Sequence, residues 1–359
     1  MTMATLRHLV WFLGLSGLVL VGQPVIVQAQ SGRVAFYVVA HQDDWQLFMN
    51  AFKDVTTPPS KIVFVYTTAG GACGPDGNNP EGHPIPFYLA REVGAQAGAR
   101  ALAAANQEDQ ALASMDNVLL TGDLNHQHSV RRYIFRNTVS YFLRLPESGN
   151  NPFCCDGSDT EINNPCLLTL QSGSTKFPTL TAVDGSATYQ SWKDLVLTLT
   201  SLVRKEADQA QNSDLSFNIQ DPDKDANQFD NPDHYATGTA MLQVTHDFFP
   251  GASVTLYCEC STALNPANVS CLPDVPPGES NCNILQNKSA VFATSSLALA
   301  DNSWSSSWDP QRNPTHTSWL SRLYSRPPSG PQNYCLAPHV LPFAALHIDI
   351  VPLIHGFAP

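Results

Sequence analysis

Positive charge is scarce in this chain. Its 19 Lys and Arg residues stand against 31 Asp and Glu, a formal charge of -12, and the basic residues are scattered apart from short pairs such as Arg131-Arg132. A phosphate backbone is bound by a clustered positive field, so a nucleic-acid partner is excluded. No internal repeat is present either, and solenoid and propeller architectures fall away with it. Apolar runs long enough to span a bilayer are also lacking. The stretch from Leu9 to about Val21, which follows Arg7, is broken by Gln23 and Pro24 before it reaches the roughly 18–20 apolar residues that a span requires.

What the N-terminus has instead is a basic residue, a short apolar core and the small-residue pattern Val27-Gln28-Ala29. Residues 1–29 therefore read as a cleavable secretory signal cut after Ala29, in preference to an uncleaved anchor. The expectation is a secreted or otherwise extracytoplasmic protein with no stable membrane span after cleavage. Export favours disulfides among the nine cysteines. Cys258, Cys260, Cys271 and Cys282 lie in a Pro-, Asn- and Ser-rich stretch with no histidine and no paired CxxC, so loop-stapling disulfides fit better there than zinc. Cys154, Cys155 and Cys166 form a second cluster, and Cys73 and Cys335 stand apart. An odd count leaves at least one thiol free or intermolecular, and connectivity stays open. Asn268 and Asn287 begin glycosylation sequons.

The chain has 359 residues, 43% of them hydrophobic, enough for a sizeable core. RVAFYVVA (33–40) and KIVFVYTT (61–68) are short runs rich in Val, Ile and aromatics and predict buried strands. Residues 88–107 are Ala-rich and proline-free, which predicts a helix. NVLL (117–120) predicts a third strand. Residues 192–209 place Leu195, Leu199, Leu202 and Val203 on one helical face behind a Ser191 cap, and LSFNI (215–219) predicts a fourth strand. This alternation points to an α/β fold with a mainly parallel sheet flanked by helices. Composition shifts after Pro250, so residues 30–359 read as one catalytic domain whose part from about 251 to 359 is a decorated, Cys-rich C-terminal extension.

In parallel sheets ligands bind beyond the carboxyl ends of the strands. AHQDDWQLF puts His41, Asp43 and Asp44 at that place, directly after the first strand, and residues 70–84 form a long loop beside it. A second polar cluster follows in DNPDHYATG, where Pro232 and Asp233 open a helix and His234 falls in its first turn. Two histidines and a carboxylate leave metal positions open, as catalytic rather than structural zinc requires. Asp43 is then placed to act as general base on a water whose pKa a metal lowers from about 15.7 toward roughly 7, and Asp233 to support the imidazole beside it. His83, His126, His128 and His316 read as loop or pocket-rim residues.

These motifs resemble the AHPDDE and HPDH segments of the LmbE/PIG-L deacetylases, metal-dependent enzymes acting on N-acetylglucosamine-type sugars. YLAREVGAQAGARALA is similar to a family helix with an Arg and Glu near its start, here Arg91 and Glu92. The resemblance spans residues 33 to 250 and implies a Rossmann-like fold. It also implies His41, Asp44 and His234 as ligands of one divalent ion, zinc in the first instance, with Asp43 as general base. The implied partner is an acylated amino sugar or glycoconjugate, and oligomeric state stays open. This chain departs from the pattern at Gln42, at Trp45, whose ring offers a surface for a sugar face, and at Asn231. Asn231 replaces a histidine implied to assist the oxyanion or the leaving amine, and an amide donates a hydrogen bond but is no acid near neutral pH. His126 and His316 are candidates for the missing acid, with Arg91 beside them as a substrate contact. Two other readings remain: an HxD…H iron oxygenase built on His41 and Asp43, which the helix-rich alternation disfavours, and a secreted sugar-binding protein without turnover.

Overall fold

Apolar runs that alternate in which way they point become strands covered on both sides. The computed structural model describes residues 32–55, 60–70, 85–104, 112–147, 165–209, 214–228, 230–259, 262, 282–300, 319–320 and 322–329. The strands are β1 (Arg33–Val39), β2 (Ser60–Thr68), β3 (Ser114–Thr121), β4 (Gln127–Phe135), β5 (Thr138–Leu145), β6 (Leu180–Thr181), β7 (Thr188–Tyr189), β8 (Leu215–Gln220), β9 (Ser253–Tyr257) and β10 (Ser325–Arg326). The helices are α1 (Asp44–Phe48), α2 (Phe52–Val55), α3 (Phe87–Ala104), α4 (Leu167–Ser172), α5 (Trp192–Gln209), α6 (Pro232–Phe248) and α7 (Cys282–Ala300).

The main sheet has the order β10-β9-β8-β1-β2-β5-β4-β3. Its five central strands, β9, β8, β1, β2 and β5, run parallel, and β10, β4 and β3 close the two sides antiparallel. The β1 side chains divide by parity. Val34, Phe36 and Val38 pack with Leu195, Leu199 and Val203 of α5 and Ala236, Ala240 and Val244 of α6. Ala35, Tyr37 and Val39 pack on the other face with Trp45 of α1, Ala95, Ala99 and Leu102 of α3 and Val291 of α7. A strand buried on both faces reads as a continuous apolar run, which is why β1 and β2 were visible in the sequence.

The predicted α/β architecture is present, with one rearrangement. NVLL is a strand, but it lies on the sheet edge and pairs antiparallel with β4. Beside β1, the other parallel neighbour of β2 is β5, in a stretch with no predicted strand. Ser191 caps α5 as expected, its Oγ accepting from Asp194 N at 3.1 Å. Cys166 and Cys258 each take part in a disulfide. The signal segment, the 71–84 part of the loop, His83, the Asn268 sequon and most of the Cys-rich extension lie outside the described residues, and the Asn287 sequon falls within α7. Among the described residues no helix is long and apolar enough to cross a membrane.

Candidate metal centre

Parallel strands share one carboxyl edge, and β1 is flanked there by β2 and β8, whose connections leave in different directions. Every strand of the parallel core contributes to the cleft at that edge. β1 delivers His41, Asp43 and Asp44; β2 leads to the Gly70 carbonyl; β5 leads to Glu147; β8 ends at Gln220; and β9 leads to Glu259. Helix α6 adds Asp233 and His234 in its first turn. The α6 start is fixed locally: Asn231 Oδ1 accepts from Asp233 N at 2.8 Å and Pro232 occupies a first-turn position where no N–H is needed.

His41 Nδ1 lies 3.0 Å from His234 Nε2 and 3.4 Å from Asp44 Oδ1, and His234 Nε2 lies 3.5 Å from Asp44 Oδ2. Ligand atoms about 2.0–2.1 Å from a tetrahedral ion stand about 3.3 Å from one another; here the two rings meet different oxygens of Asp44, and one ligand atom from each of the three residues lies within 4.8 Å of the others, a grouping that one zinc-type ion could draw together. The charge also fits. Asp43, Asp44, Glu147, Asp230, Asp233 and Glu259 are six carboxylates, all with side chains nearly or fully buried, and among the described residues His41, His234 and Arg91 face them with possible positive charge. A divalent cation offsets that imbalance.

Each ring turns its other nitrogen to carboxylates. His41 Nε2 faces Glu147 Oε1 at 3.1 Å and Asp233 Oδ2 at 3.9 Å. His234 Nδ1 faces Asp230 Oδ1 at 2.7 Å and Glu259 Oε2 at 2.9 Å. Such partners fix the tautomer and raise ligand basicity. Asp44 is held from two sides, by the His41 backbone N–H at 2.7 Å and by Gln220 Nε2 at 3.0 Å. The same Gln220 Nε2 donates to Glu259 Oε2 at 2.5 Å, and its Oε1 accepts from Ala40 N at 3.0 Å. Gln220 thus ties β1, β8 and the end of β9 to one ligand.

The electrostatics follow from burial and proximity. Burial opposes the charged form of Asp44, but the His234 and His41 rings outweigh it and hold this carboxyl well below the usual range. Burial opposes protonation of both rings too, yet Asp44 with Glu147 raises His41, and Asp230 with Glu259 raises His234. Glu259 is pushed up to about 8, chiefly by burial, with His234 pulling the other way. Asp43 is raised to about 6 by burial, against the opposing pull of Arg91. Arg91 donates from Nη2 to Asp43 Oδ1 at 2.5 Å and from Nη1 to the Gly70 carbonyl at 2.8 Å. Gly70 has φ +63, and a Cβ there would overlap Gln42 Oε1, so this close approach depends on glycine.

The structure therefore brings His41, Asp43, Asp44, Asp233 and His234 into one cluster, with Arg91 beside Asp43, and revises several sequence readings. Asp233 supports His41 rather than its neighbour His234, because it points into the cleft from the helix start. Asn231 spends its side-chain oxygen on the α6 cap. Trp45 does not offer its ring to a ligand: it is 2% exposed, stacks on Phe64 at 4.3 Å and donates Nε1–H to Tyr66 OH. His126 precedes β4, three strands from β1 and about 14 Å away at ordinary strand spacing, with Nδ1 3.7 Å from Asp194. His128 is buried there, stacked on Tyr189. His316 lies outside the described residues. The oxygenase reading loses its carboxylate, since Asp44 rather than Asp43 joins the two histidines, and its fold, since the sheet is not a jelly roll.

Sequence reasoning missed Glu147, Gln220, Asp230 and Glu259. Gln220 directly follows LSFNI, so the carboxyl-edge rule pointed to it. Asp230 stands four residues before His234, and no motif marks the other two.

No family model matches the chain, and no curated protein matches its sequence. Among solved structures it is similar to N,N′-diacetylchitobiose deacetylase from Pyrococcus horikoshii complexed with its inhibitor MPG. That likeness has 14% identity over 87% of this chain and 88% of that one, with a TM-score of 0.38. It is also similar to a deacetylase of teicoplanin biosynthesis, at 14% identity over 75% and 84% with a TM-score of 0.37. A triple mutant of a teicoplanin-pathway deacetylase aligns at 14% identity over 79% and 90%, with a TM-score of 0.34.

Proposed function

We propose that this chain is a metal-dependent hydrolase that removes an acyl group, acetyl in the simplest case, from the nitrogen of an N-acetylglucosamine-type sugar or glycoconjugate. The observation that carries the reading is the convergence of AHQDD and NPDH. It groups one ligand atom each from His41, Asp44 and His234 within 4.8 Å of one another, with Asp43 adjacent. A divalent cation of the zinc type held by these three residues supplies a Lewis acid that polarises an amide carbonyl and acidifies water toward neutral pH.

The chain's own residues do the rest. Asp43, with a pKa of about 6, is ionised at neutral pH and accepts the proton of the attacking water. Arg91 holds one oxygen of that carboxylate and fixes its aim. The N-terminus of α6, with its positive dipole end toward the cleft, favours the negative charge that grows on the carbonyl oxygen. Because Asn231 is engaged as a cap and is no acid, the protonated Asp43 is the group that returns the proton to the leaving nitrogen. Breakage of the C–N bond then yields acetate and a free amine. The carboxylate-rich wall disfavours acidic sugars and suits a neutral acylated sugar that becomes a cationic amine.

The test is metal content measured together with acetate release from a panel of N-acetylglucosamine derivatives, wild type beside Asp43→Ala. Stoichiometric metal in both with release only from wild type supports the reading. Bound metal with no release from any substrate favours a sugar-binding protein without turnover, and no metal under metal-replete conditions refutes the site.

A further inference from the structure

The two carboxylates on His234 Nδ1 come from separate segments, and one short strap of the C-terminal part holds both. Asp230 closes the loop that begins at Asp221 after β8. Asn227 Nδ2 donates to the Asp221 carbonyl at 2.9 Å and to Asp230 Oδ2 at 2.6 Å, and Tyr235 OH accepts from Asp230 N at 3.0 Å. At the head of that loop sits Arg326 of β10. Its Nε donates to Asp221 Oδ2 at 2.8 Å, and its Nη2 donates to Asp221 Oδ1 at 3.0 Å and to Asp223 Oδ2 at 3.3 Å. Arg326 is 7% exposed and Asp221 is fully buried, so the pair is shielded from solvent.

Glu259, the other carboxylate, follows β9 by two residues. β10 pairs with β9 at Ser325↔Tyr257 and Arg326↔Leu256, and Cys258 N donates to the Tyr324 carbonyl at 3.1 Å. Asp221 N donates to the Tyr257 carbonyl at 2.9 Å, which joins the loop to the same strand end. Residues 324–326 are therefore a common brace for both supports of one imidazole.

We propose that Arg326 is a positioning residue of the metal centre: its forked grip on Asp221 and Asp223 fixes the loop that carries Asp230 and thereby the orientation of the His234 ring. The inference rests on the metal-centre reading above. A planar fork matched to a carboxylate holds direction as well as charge, and lysine does not reproduce it.

The experiment compares full-length wild type, Arg326→Gln, Arg326→Lys, Asp230→Asn and the double variant Arg326→Gln/Asp230→Asn. It measures the zinc dissociation constant, the visible absorption spectrum of the Co(II)-substituted protein, and hydrogen exchange of the metal-free protein. Arg326→Gln is expected to weaken zinc roughly 10- to 100-fold, the usual consequence of losing an outer hydrogen-bond partner. It should alter the Co(II) spectrum and raise exchange in residues 221–235. Arg326→Lys should recover only part of the affinity. The double variant Arg326→Gln/Asp230→Asn should lose little beyond Asp230→Asn alone, since both act through one imidazole. A lower melting temperature in Arg326→Gln with unchanged zinc affinity and Co(II) spectrum overturns the proposal, leaving Arg326 a purely structural contact. Unchanged exchange in residues 221–235 also overturns it. If wild type itself binds no stoichiometric metal, the metal-centre reading fails on that arm, while exchange in the metal-free protein still decides whether Arg326 holds the loop.

Discussion

The ring nitrogens His41 Nδ1 and His234 Nε2 stand 3.0 Å apart although 193 positions separate them, and their ring planes are inclined at 58°. One ring leaves β1 and the other enters α6, and their outer nitrogens both face buried carboxylates. Two imidazoles so held direct one lone pair each at a common point, provided neither carries a proton on its inner nitrogen.

Loss of the metal is accordingly expected to cost stability as well as activity. With free metal 100-fold above its dissociation constant, binding to the folded state alone stabilises by about 2.7 kcal/mol. Chelation should abolish hydrolysis and lower the melting temperature, and added zinc should restore both. Affinity should fall as pH drops, because protons compete for the same ring nitrogens. A melting temperature indifferent to chelator and to added zinc would count against the site.

Asp43→Asn should retain the metal and lose about 10²–10⁴ in kcat, the usual contribution of a positioned base. The base works when ionised, and burial raises Asp43 from 3.8 to about 6. A bound divalent cation opposes that rise, so the acid limb of wild-type activity should lie at or below about pH 6. A pH–rate profile in which the acid limb near 6 survives in residual Asp43→Asn activity would assign that limb to another group.

Gly238→Ala reads as a favourable helix substitution worth about 1 kcal/mol in an exposed helix. Here a Cβ would overlap the Gln220 backbone oxygen and touch Pro222 Cδ at 3.1 Å. The expected result is a net destabilisation of about 1–3 kcal/mol. Zinc should also weaken, because the side chain of Gln220 reaches Asp44 and Glu259. Chemical denaturation and a metal titration test both parts; a gain in stability would show that α6 and β8 are less closely packed.

Lys288 of α7 is 5% exposed and donates to the Arg322 carbonyl at 3.1 Å, and burial lowers its pKa from 10.5 to about 7. The unfolded chain keeps this proton up to about pH 10.4. Between about pH 7 and 10 the unfolded state binds more protons, so wild-type stability should rise with pH through that window. Lys288→Met should remove this contribution to the slope and stabilise the protein at pH 6, by up to about 5 kcal/mol on a shift of this size. Urea unfolding of both proteins at pH 6, 8 and 9.5 measures it; parallel pH dependences would mean that the amine is solvated.

Legibility in the sequence followed burial symmetry. β1, β2 and β8 were visible as apolar runs, α5 as a one-faced helix and α6 by its Pro232-Asp233 start. β4 and β5 were hidden because Arg131, Arg132 and Arg144 interrupt them and because the positive φ of their Arg136-Asn137 turn, +54, falls on the arginine rather than on a glycine. Trp45 looked like a ligand surface because it stands at the end of the AHQDDW motif, where the resembling segment has an acid. Only the packing of α1 showed the ring turned into the core.

By itself, the sequence determined which residues are the candidates for the chemistry, since strand ends and helix starts are local features with local signals. His41, Asp43, Asp44 and His234 were all readable in this way. The tertiary structure alone decided what holds them: Glu147, Gln220, Asp230 and Glu259, with Arg326 behind Asp230. These residues meet because of the order in which parallel strands lie side by side, and strand order depends on how the whole chain packs, which no local period or motif encodes.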